Sequence, residues 1–197
     1  MSSLIALSFS GGKDSCLALY ELQQQGWEIG CLFTTVWKEN GKTIAHEDSL
    51  EALKEQAERL RLPIHFIYTS MEEYETDFIR TLSGLKDMYD LRAVAFGDWY
   101  LKGHIMWGVE QAEKVGLDAL YPLHAPQSEM LEQLRRFVRL GFVAKVIKID
   151  DNKLPADWVG RIIDEQFVAD IQAYDVCPMG ENGEYHTRVL DGPIFHK

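Results

Sequence analysis

The sequence predicts an α/β protein with a parallel sheet, helices on both faces of that sheet and a smaller C-terminal part. Three observations support this prediction. Strand-like apolar segments alternate with helix-like segments up to residue 149, a glycine pair joins the first strand to the first helix, and the alternation ends at the polar connection 150–155. We expect the chain to divide into residues 1–125 and residues 126–197.

The strand predictions rest on short apolar runs bounded by turn residues. Since parallel strands need crossover connections, the helix-like segments between these runs indicate parallel rather than antiparallel pairing. The runs lie at residues 4–9, 27–36, 64–69, 91–96, 119–123 and 142–149.

The helix predictions rest on apolar residues at helical spacing and on capping signals. Asp48 or Ser49 is expected to begin the second helix, and Ser70 with Glu73 forms a capping-box signature for the third. One further helix is expected directly after residues 10–15, and others are expected around residues 105–112, 131–138 and 158–171. The tail from residue 175 is expected to be rich in loops.

Residues 10–15, Ser-Gly-Gly-Lys-Asp-Ser, lie between the first strand and the first helix. Gly11 and Gly12 allow a tight turn and a close approach of the backbone to a ligand. The N–H groups of the first helical turn, the Lys13 ammonium and the hydroxyls of Ser10 and Ser15 then suit a phosphate or pyrophosphate. The spacing differs from that of a Walker A loop, in which a longer insert follows the first glycine.

Two more segments follow predicted strands and are expected near the same place. Phe33 lies in the second strand, and Gly97-Asp98 follows the fourth. Ligands of parallel sheets bind outside the carboxyl ends of the strands, where these segments converge. Asp14 and Asp98 are candidate Mg²⁺ ligands, because Mg²⁺ takes one or two carboxylates together with phosphate oxygens. Each of these aspartates also suits a helix N-cap, and this alternative stays open.

A second group of polar side chains lies at residues 180–187, near the C-terminus. Its carboxylates, amide, phenol and imidazole can bind a polar substrate, a metal or an attacking amine. His186 or Glu184 could accept a proton from ammonium, and the sequence does not decide between them. A solvated surface turn is the alternative. The candidate residues are Glu181, Asn182, Glu184, Tyr185 and His186.

Composition limits the function classes. The chain has 197 residues and a net charge of −11, and this charge argues against broad nucleic-acid binding. Its three cysteines, Cys16, Cys31 and Cys177, form no Cys-x-x-Cys pair. No apolar run is long enough to cross a bilayer, and the N-terminus lacks the basic region of a signal peptide. We therefore expect a cytoplasmic protein, and the sequence leaves its oligomeric state open, including a homo-oligomer.

The motif at residues 10–15 resembles the Ser-Gly-Gly-x-Asp-Ser loop of the PP-loop ATP pyrophosphatases. Nearly the whole chain resembles the diphthine–ammonia ligase family, an N-type group of these enzymes with a fold of the adenine nucleotide alpha hydrolase (HUP) type. Two departures from the family pattern stand out. His124 lies where the family often has tryptophan. In the tail motif, residues 180–187, Asn182 and His186 lie where the eukaryotic ligases tend to have glycine and glutamate. The matching stretches are 10–15, His46, 97–98, 121–123, 180–187 and 191–195.

This resemblance implies that residues 1–125 bind ATP and that residues 126–197 bind the acceptor substrate. It implies adenylation of a carboxylate, release of pyrophosphate and displacement of AMP by ammonia. ATP and Mg²⁺ would be the cofactors. The implied catalytic residues are Lys13, Asp98, Glu184 and His186. Residues 10–15, Phe33 and Gly97 would bind the nucleotide, and His46, Glu181, Asn182, Glu184, Tyr185 and His186 would bind the substrate.

Other functions remain open at this stage. The tail motif resembles the prokaryotic branch of the family, so an amidation of another metabolite, related to cobalamin, is one alternative. A tRNA thiolation enzyme is another, but the acidic charge and the isolated cysteines count against it. A sensor that binds ATP without turnover is the third, and a product assay beside a binding measurement separates it from an enzyme.

Overall fold

The structure is a computed structural model that describes residues 4–43 and 49–196. Five parallel strands form the main sheet in the order β3-β2-β1-β4-β5. They are β1 (Leu4–Ser8), β2 (Glu28–Trp37), β3 (Ile64–Thr69), β4 (Ala93–Ala95) and β5 (Asp118–Leu120). The sequence-based prediction of a parallel α/β sheet is confirmed.

Four helices connect these strands and cover both faces of the sheet. They are α1 (Lys13–Gln24), α2 (Leu50–Leu60), α3 (Tyr74–Tyr89) and α4 (Lys102–Lys114). The alternating residues of β1 show why two layers form: Ile5 and Leu7 join a core with residues of α1 and α2, whereas Ala6 joins a second core with residues of α3 and α4. None of the described helices has the length and apolar composition that a membrane span requires.

The C-terminal part adds α5 (Met130–Arg139), β6 (Val143–Ile149), α6 (Glu165–Asp170) and β7 (Tyr185–Asp191). Strands β6 and β7 pair in an antiparallel two-stranded sheet. Phe167 and Tyr185 of this part belong to the same buried cluster as Leu17 of α1. The C-terminal part therefore packs on the main sheet through a core that the two parts share.

Two predictions are wrong, namely the helix over 158–171 and the parallel pairing of the apolar run at 142–149, which forms β6 and pairs antiparallel with β7. The helix expected over 158–171 is replaced by a 3₁₀ turn at Ala156–Trp158 and by the short helix α6. Gly160, at φ +94°, interrupts any continuous helix, and Asp164 begins α6 by accepting a hydrogen bond from the Phe167 N–H at 2.8 Å. The tail from residue 175, which was expected to be rich in loops, also contains β7, in which alternate side chains are buried.

Candidate functional site

A cavity of about 570 Å³ lies at the carboxyl ends of β1 and β4. Its position agrees with the rule that ligands of parallel sheets bind beyond the strand ends. The cavity brings the loop at residues 10–15 together with the motif at residues 180–186. The described residues that line it are Ser8, Ser10, Lys13, Asp14, Ser15, Gly97, Asp98, Leu101, His104, Gly180, Glu181, Asn182, Gly183, Tyr185 and His186.

The glycine pair shapes the loop beneath this cavity. Gly11 has φ +74°, a conformation that L side chains rarely adopt, and Gly12 is the extended N-cap residue of α1. The Gly12 N–H lies 3.4 Å from the Ser10 Oγ, and the Ser15 Oγ donates to the Gly12 carbonyl at 3.1 Å. Both glycines are buried, while Ser10, Lys13 and Ser15 line the cavity.

Lys13 is the only lysine or arginine among the described residues of the cavity wall. Its side chain is almost fully buried, and its Nζ lies 2.9 Å from the Asp14 Oδ2. The same ammonium lies 4.7 Å from the centre of the Tyr185 ring, in a cation–π arrangement. These two contacts hold the cation in place at the floor of the cavity.

Trp99 connects the two predicted motifs, although sequence reasoning did not select it. Its indole Nε1 donates to the Asp14 Oδ1 at 2.8 Å, and its backbone N–H donates to the Glu181 Oε1 at 3.0 Å. Because the Trp99 ring is buried and its indole N–H is hydrogen-bonded, this residue holds Asp14 and Glu181 at a fixed separation. The sequence feature that could have indicated this role is the position of Trp99 directly after Gly97-Asp98, at the end of a predicted strand.

The carboxylates of the cavity wall repel one another. The pKa of Glu181 is raised to about 7, chiefly by burial and also by the nearby Asp14 and Asp98, while the Trp99 N–H and Lys13 oppose the rise. Burial also raises the pKa of Asp98, an effect that His104 opposes with an Nδ1 that lies 3.1 Å from the Asp98 Oδ1. The wall thus has an excess of acidic groups that favour a bound cation or proton.

Glu184 is placed differently from the other residues of its motif. It is buried and is not among the described residues that line the cavity. Its Oε1 accepts from the Cys177 N–H at 3.0 Å, and its Oε2 accepts from the Asn182 N–H at 2.9 Å. Glu184 therefore holds the turn between residues 177 and 184 in shape, and its placement lends no support to the predicted catalytic role.

Strand β7 lies directly against the loop at residues 10–15. The Lys13 backbone N–H donates to the Thr187 Oγ1 at 3.0 Å, and the Val189 N–H donates to the Gly11 carbonyl at 2.9 Å. Gln56 of α2 bridges both segments, because its Nε2 donates to the Gly11 and Val189 carbonyls at 3.0 and 2.6 Å. Sequence reasoning missed Gln56 and Thr187, since partners so distant along the chain leave no local pattern.

The remaining predicted residues have different environments. Phe33 is fully buried and packs edge-on against Phe78, with ring centres 5.7 Å apart, so its side chain belongs to the core. Tyr185 is buried beneath the cavity, where its hydroxyl donates to the Pro178 carbonyl at 2.6 Å. His186 and Asn182 line the cavity. The predicted substrate-binding role of His46 falls outside the described residues.

Gly97 brings the end of β4 against the start of α1. A Cβ at this position would lie 3.3 Å from both the Asp14 carbonyl carbon and the Ser15 nitrogen.

Within residues 4–43 and 49–196, no group of three or more histidine, cysteine, aspartate or glutamate side chains is arranged to hold a metal ion. The three cysteines are buried and free, and burial raises the pKa of Cys31 to about 12.

Fold and site together define an α/β protein of the PP-loop type. Two family models match the chain, diphthamide synthase N-terminal domain over residues 3–120 and diphthamide synthase C-terminal domain over residues 129–197. Because these matches cover most of its length, the chain belongs to the diphthamide synthase family. The family resemblance predicted from the sequence is confirmed.

Two curated relatives are similar over almost the whole chain. The diphthine–ammonia ligase of Homo sapiens is 27% identical over 222 residues, which cover 98% of this chain and 80% of that protein. The diphthine–ammonia ligase of Schizosaccharomyces pombe is 28% identical over 95% of this chain, but only 34% of that longer protein is covered.

Shorter or more distant similarities point to related folds. The tRNA-specific 2-thiouridylase MnmA 2 of Clostridium botulinum is 29% identical over 69 residues, and the match spans 35% of this chain and only a fifth of that protein. A crystal structure from Methanocaldococcus jannaschii, described as a predicted subunit of tRNA methyltransferase, aligns with a TM-score of 0.50 and 15% identity. That alignment covers 96% of this chain and 97% of the other, and it supports the fold alone.

Proposed function

We propose that this protein is an ATP-dependent ligase that adenylates a carboxylate substrate, releases pyrophosphate and joins ammonia to the activated carbon. The observation that carries the proposal is the shared cavity, because Lys13 of the loop and Glu181 of the tail motif line one space. A single substrate pair can therefore contact both. The similarity to the human and fission yeast diphthine–ammonia ligases supports the same reaction class.

The phosphate end of the cavity is the loop at residues 10–15. In the first step a substrate carboxylate oxygen attacks the α-phosphorus of ATP, and the bond to the β-phosphate oxygen breaks. Negative charge then builds on the leaving pyrophosphate. The Lys13 ammonium and the hydroxyls of Ser10 and Ser15 would stabilise this charge, because donors fixed in advance cost no reorganisation during the reaction.

The charge balance of the wall supports a role for Mg²⁺. Asp14, Asp98 and Glu181 face a cavity whose described wall has Lys13 as its only lysine or arginine, so ATP would meet net repulsion. Asp14 and Asp98 offer the one or two carboxylates that Mg²⁺ uses when phosphate oxygens and water complete its shell. Such an ion would offset the excess of negative charge and would come with the nucleotide.

The acceptor end of the cavity is formed by Glu181, Asn182 and His186. In the second step ammonia attacks the acyl carbon and AMP leaves with the bonding electron pair. Ammonium must first lose a proton, and Glu181 is a suitable acceptor because its pKa is raised to about 7. In this proposal Glu181 takes the role of base that the sequence suggested for Glu184 or His186.

The identity of the acceptor is part of the proposal. The names of the two relatives support diphthine, a modified protein side chain, as the acceptor. Asn182 and His186 differ from the form typical of the eukaryotic ligases, and this difference favours a small carboxylic acid as the competing acceptor. Both residues line the cavity, and this position supports a role for them in discriminating between the two acceptors.

A second candidate, tRNA thiolation, is favoured by the similarity to the 2-thiouridylase of Clostridium botulinum. Sulfur transfer by a persulfide needs a reactive, accessible cysteine. The three cysteines of this chain are buried, and none is among the described residues of the cavity wall. The net charge of −11 also opposes RNA binding. These observations favour the ligase.

A product assay tests the proposal. The protein is incubated with ATP, Mg²⁺, ammonium and either diphthine-containing protein or a panel of small carboxylic acids, and the nucleotide products are separated. We expect AMP and pyrophosphate in equal amounts, together with an amide. Formation of ADP and phosphate alone would refute the proposal, and ATP binding without any turnover would favour the sensor.

A further inference from the structure

The peptide unit between Gly11 and Gly12 is held from outside the loop. Its carbonyl oxygen accepts two hydrogen bonds, one from the Val189 N–H of β7 at 2.9 Å and one from the Gln56 Nε2 at 3.0 Å. Gln56 also donates to the Val189 carbonyl at 2.6 Å, so one buried side chain ties α2, β7 and the loop together.

These contacts fix the direction in which the peptide unit faces. In a trans peptide the C=O and the N–H point to opposite sides, and none of the described peptide bonds is cis. Because the Gly11 carbonyl is directed to Gln56 and β7, the Gly12 N–H is directed away from them. It faces the Ser10 Oγ at 3.4 Å, and Ser10 belongs to the cavity wall.

A glycine pair by itself does not select this orientation. Glycine populates positive and negative φ almost equally, so a Gly-Gly peptide flips at little cost. A flipped peptide would turn the Gly11 carbonyl oxygen, rather than the Gly12 N–H, toward the cavity and would repel an anion there. The two hydrogen bonds that the Gly11 carbonyl accepts oppose this flip, because a flipped peptide would lose both of them.

We propose that Gln56 is a positioning residue that keeps the Gly11–Gly12 peptide in the anion-binding orientation through its bonds to the Gly11 and Val189 carbonyls. The proposal rests on the proposed function, since the anion is the diphosphate group of ATP. Gln56 does not line the cavity and acts only through the loop. Its effect should therefore appear in the affinity for pyrophosphate and in the rate of its release from ATP.

The test uses the full-length protein and inorganic pyrophosphate with Mg²⁺, measured by isothermal titration calorimetry. Gln56→Met keeps the length and burial of the side chain but removes the amide donors. We expect the Kd for pyrophosphate to rise roughly tenfold, the size expected for one lost hydrogen bond in a preorganised site. Gln56→Glu, which places a further oxygen against two carbonyls, should raise it at least as much.

Gln111→Met is the matched control, because Gln111 of α4 is as deeply buried as Gln56 and does not line the cavity. The control should keep its Kd within about twofold of the wild type. In the ligase assay at saturating ATP, kcat should fall for the Gln56 variants and stay unchanged for the control. A loss of thermal stability in the Gln56 variants with an unchanged Kd for pyrophosphate would show a merely structural role and overturn the proposal.

A measurement on the unaltered protein covers the case in which the Gln56 variants fail to fold. Saturation with pyrophosphate should shift the Gly12 amide proton in the ¹H–¹⁵N spectrum, and no shift would overturn the proposal. If the wild type binds pyrophosphate and the Gln56 variants bind it equally well, the positioning role alone is refuted. A wild type that binds neither pyrophosphate nor ATP would refute the proposed function and the positioning role together.

Discussion

The backbone N–H of Lys13 donates a hydrogen bond of 3.0 Å to the side-chain hydroxyl of Thr187, a residue 174 positions further along the chain. The first N–H groups of a helix have no partner within the helix and require one from elsewhere. Here the tail motif provides it. The C-terminal part thus completes the helix start on which the proposed phosphate site depends.

Replacement of Thr187 by valine should remove this acceptor while keeping the shape of the side chain. We expect the free energy of unfolding to fall by about 1 kcal/mol, as it does when a helix N-cap is removed. This corresponds to a fall in Tm of about 2–4 °C for a chain of this size. Thermal unfolding measures it. Thr187→Ser keeps the hydroxyl acceptor and should retain most of the stability. Because valine keeps the methyl group that serine lacks, a stable valine variant beside an unstable serine variant would attribute the contribution of Thr187 to packing of the methyl group.

Replacement of Lys13 by alanine should strongly slow the formation of AMP and pyrophosphate. The loss of the only lysine or arginine on the described cavity wall removes stabilisation of the leaving group, and kcat should fall by about 10²-fold to 10³-fold. Lys114→Ala is the control, since Lys114 also forms ion pairs but lies outside the cavity. A kcat in the Lys13 variant close to that of the wild type would assign the phosphate site to other residues.

Replacement of Glu184 by alanine should act on stability. The buried Cys177 N–H and the partly buried Asn182 N–H would lose their acceptors, which should lower the free energy of unfolding by about 2–3 kcal/mol and Tm by roughly 5–10 °C. Differential scanning calorimetry gives this value. An unchanged Tm together with a lost ligase activity would instead return Glu184 to the catalytic role that the sequence suggested.

Stability should depend on pH through Glu181. The folded chain raises the pKa of this carboxyl from 4.5 to about 7, so the folded state binds the proton more tightly than the unfolded state does. The resulting stabilisation is complete below about pH 4.5 and is lost as the pH rises through about 7. In Glu181→Gln the side chain is neutral at every pH, so this variant should not lose stability through this group as the pH rises.

The difference in Tm between Glu181→Gln and the wild type should therefore grow in favour of the glutamine variant by about 2–4 °C between pH 5 and pH 8. This figure corresponds to about 1 kcal/mol, reduced to allow for screening of a partly exposed group. Glu72→Gln, a change at an exposed position outside the cavity, serves as control. A difference that stays constant with pH for Glu181→Gln would place the titration on another group.

The nucleotide loop and the parallel sheet were predictable because their signals are local. The glycine pair before Lys13 marks a turn with positive φ, which the structure shows at Gly11. The apolar runs mark buried strands, since each strand carries its own periodicity. The same local logic failed for β7, whose buried residues Tyr185, Thr187 and Val189 alternate from the polar motif at residues 180–187 into the tail beyond it.

Residue patterns along the chain were enough to predict the fold class, the family and the short segments that meet at the cavity. They did not reveal that Glu181 faces the cavity while Glu184 is buried, or that Gln56 and Thr187 contact the loop at residues 10–15. The difference comes from separation along the chain. Backbone conformation depends on neighbouring residues, whereas the partner of a buried carboxylate, amide or N–H depends on segments that only the packed chain brings together.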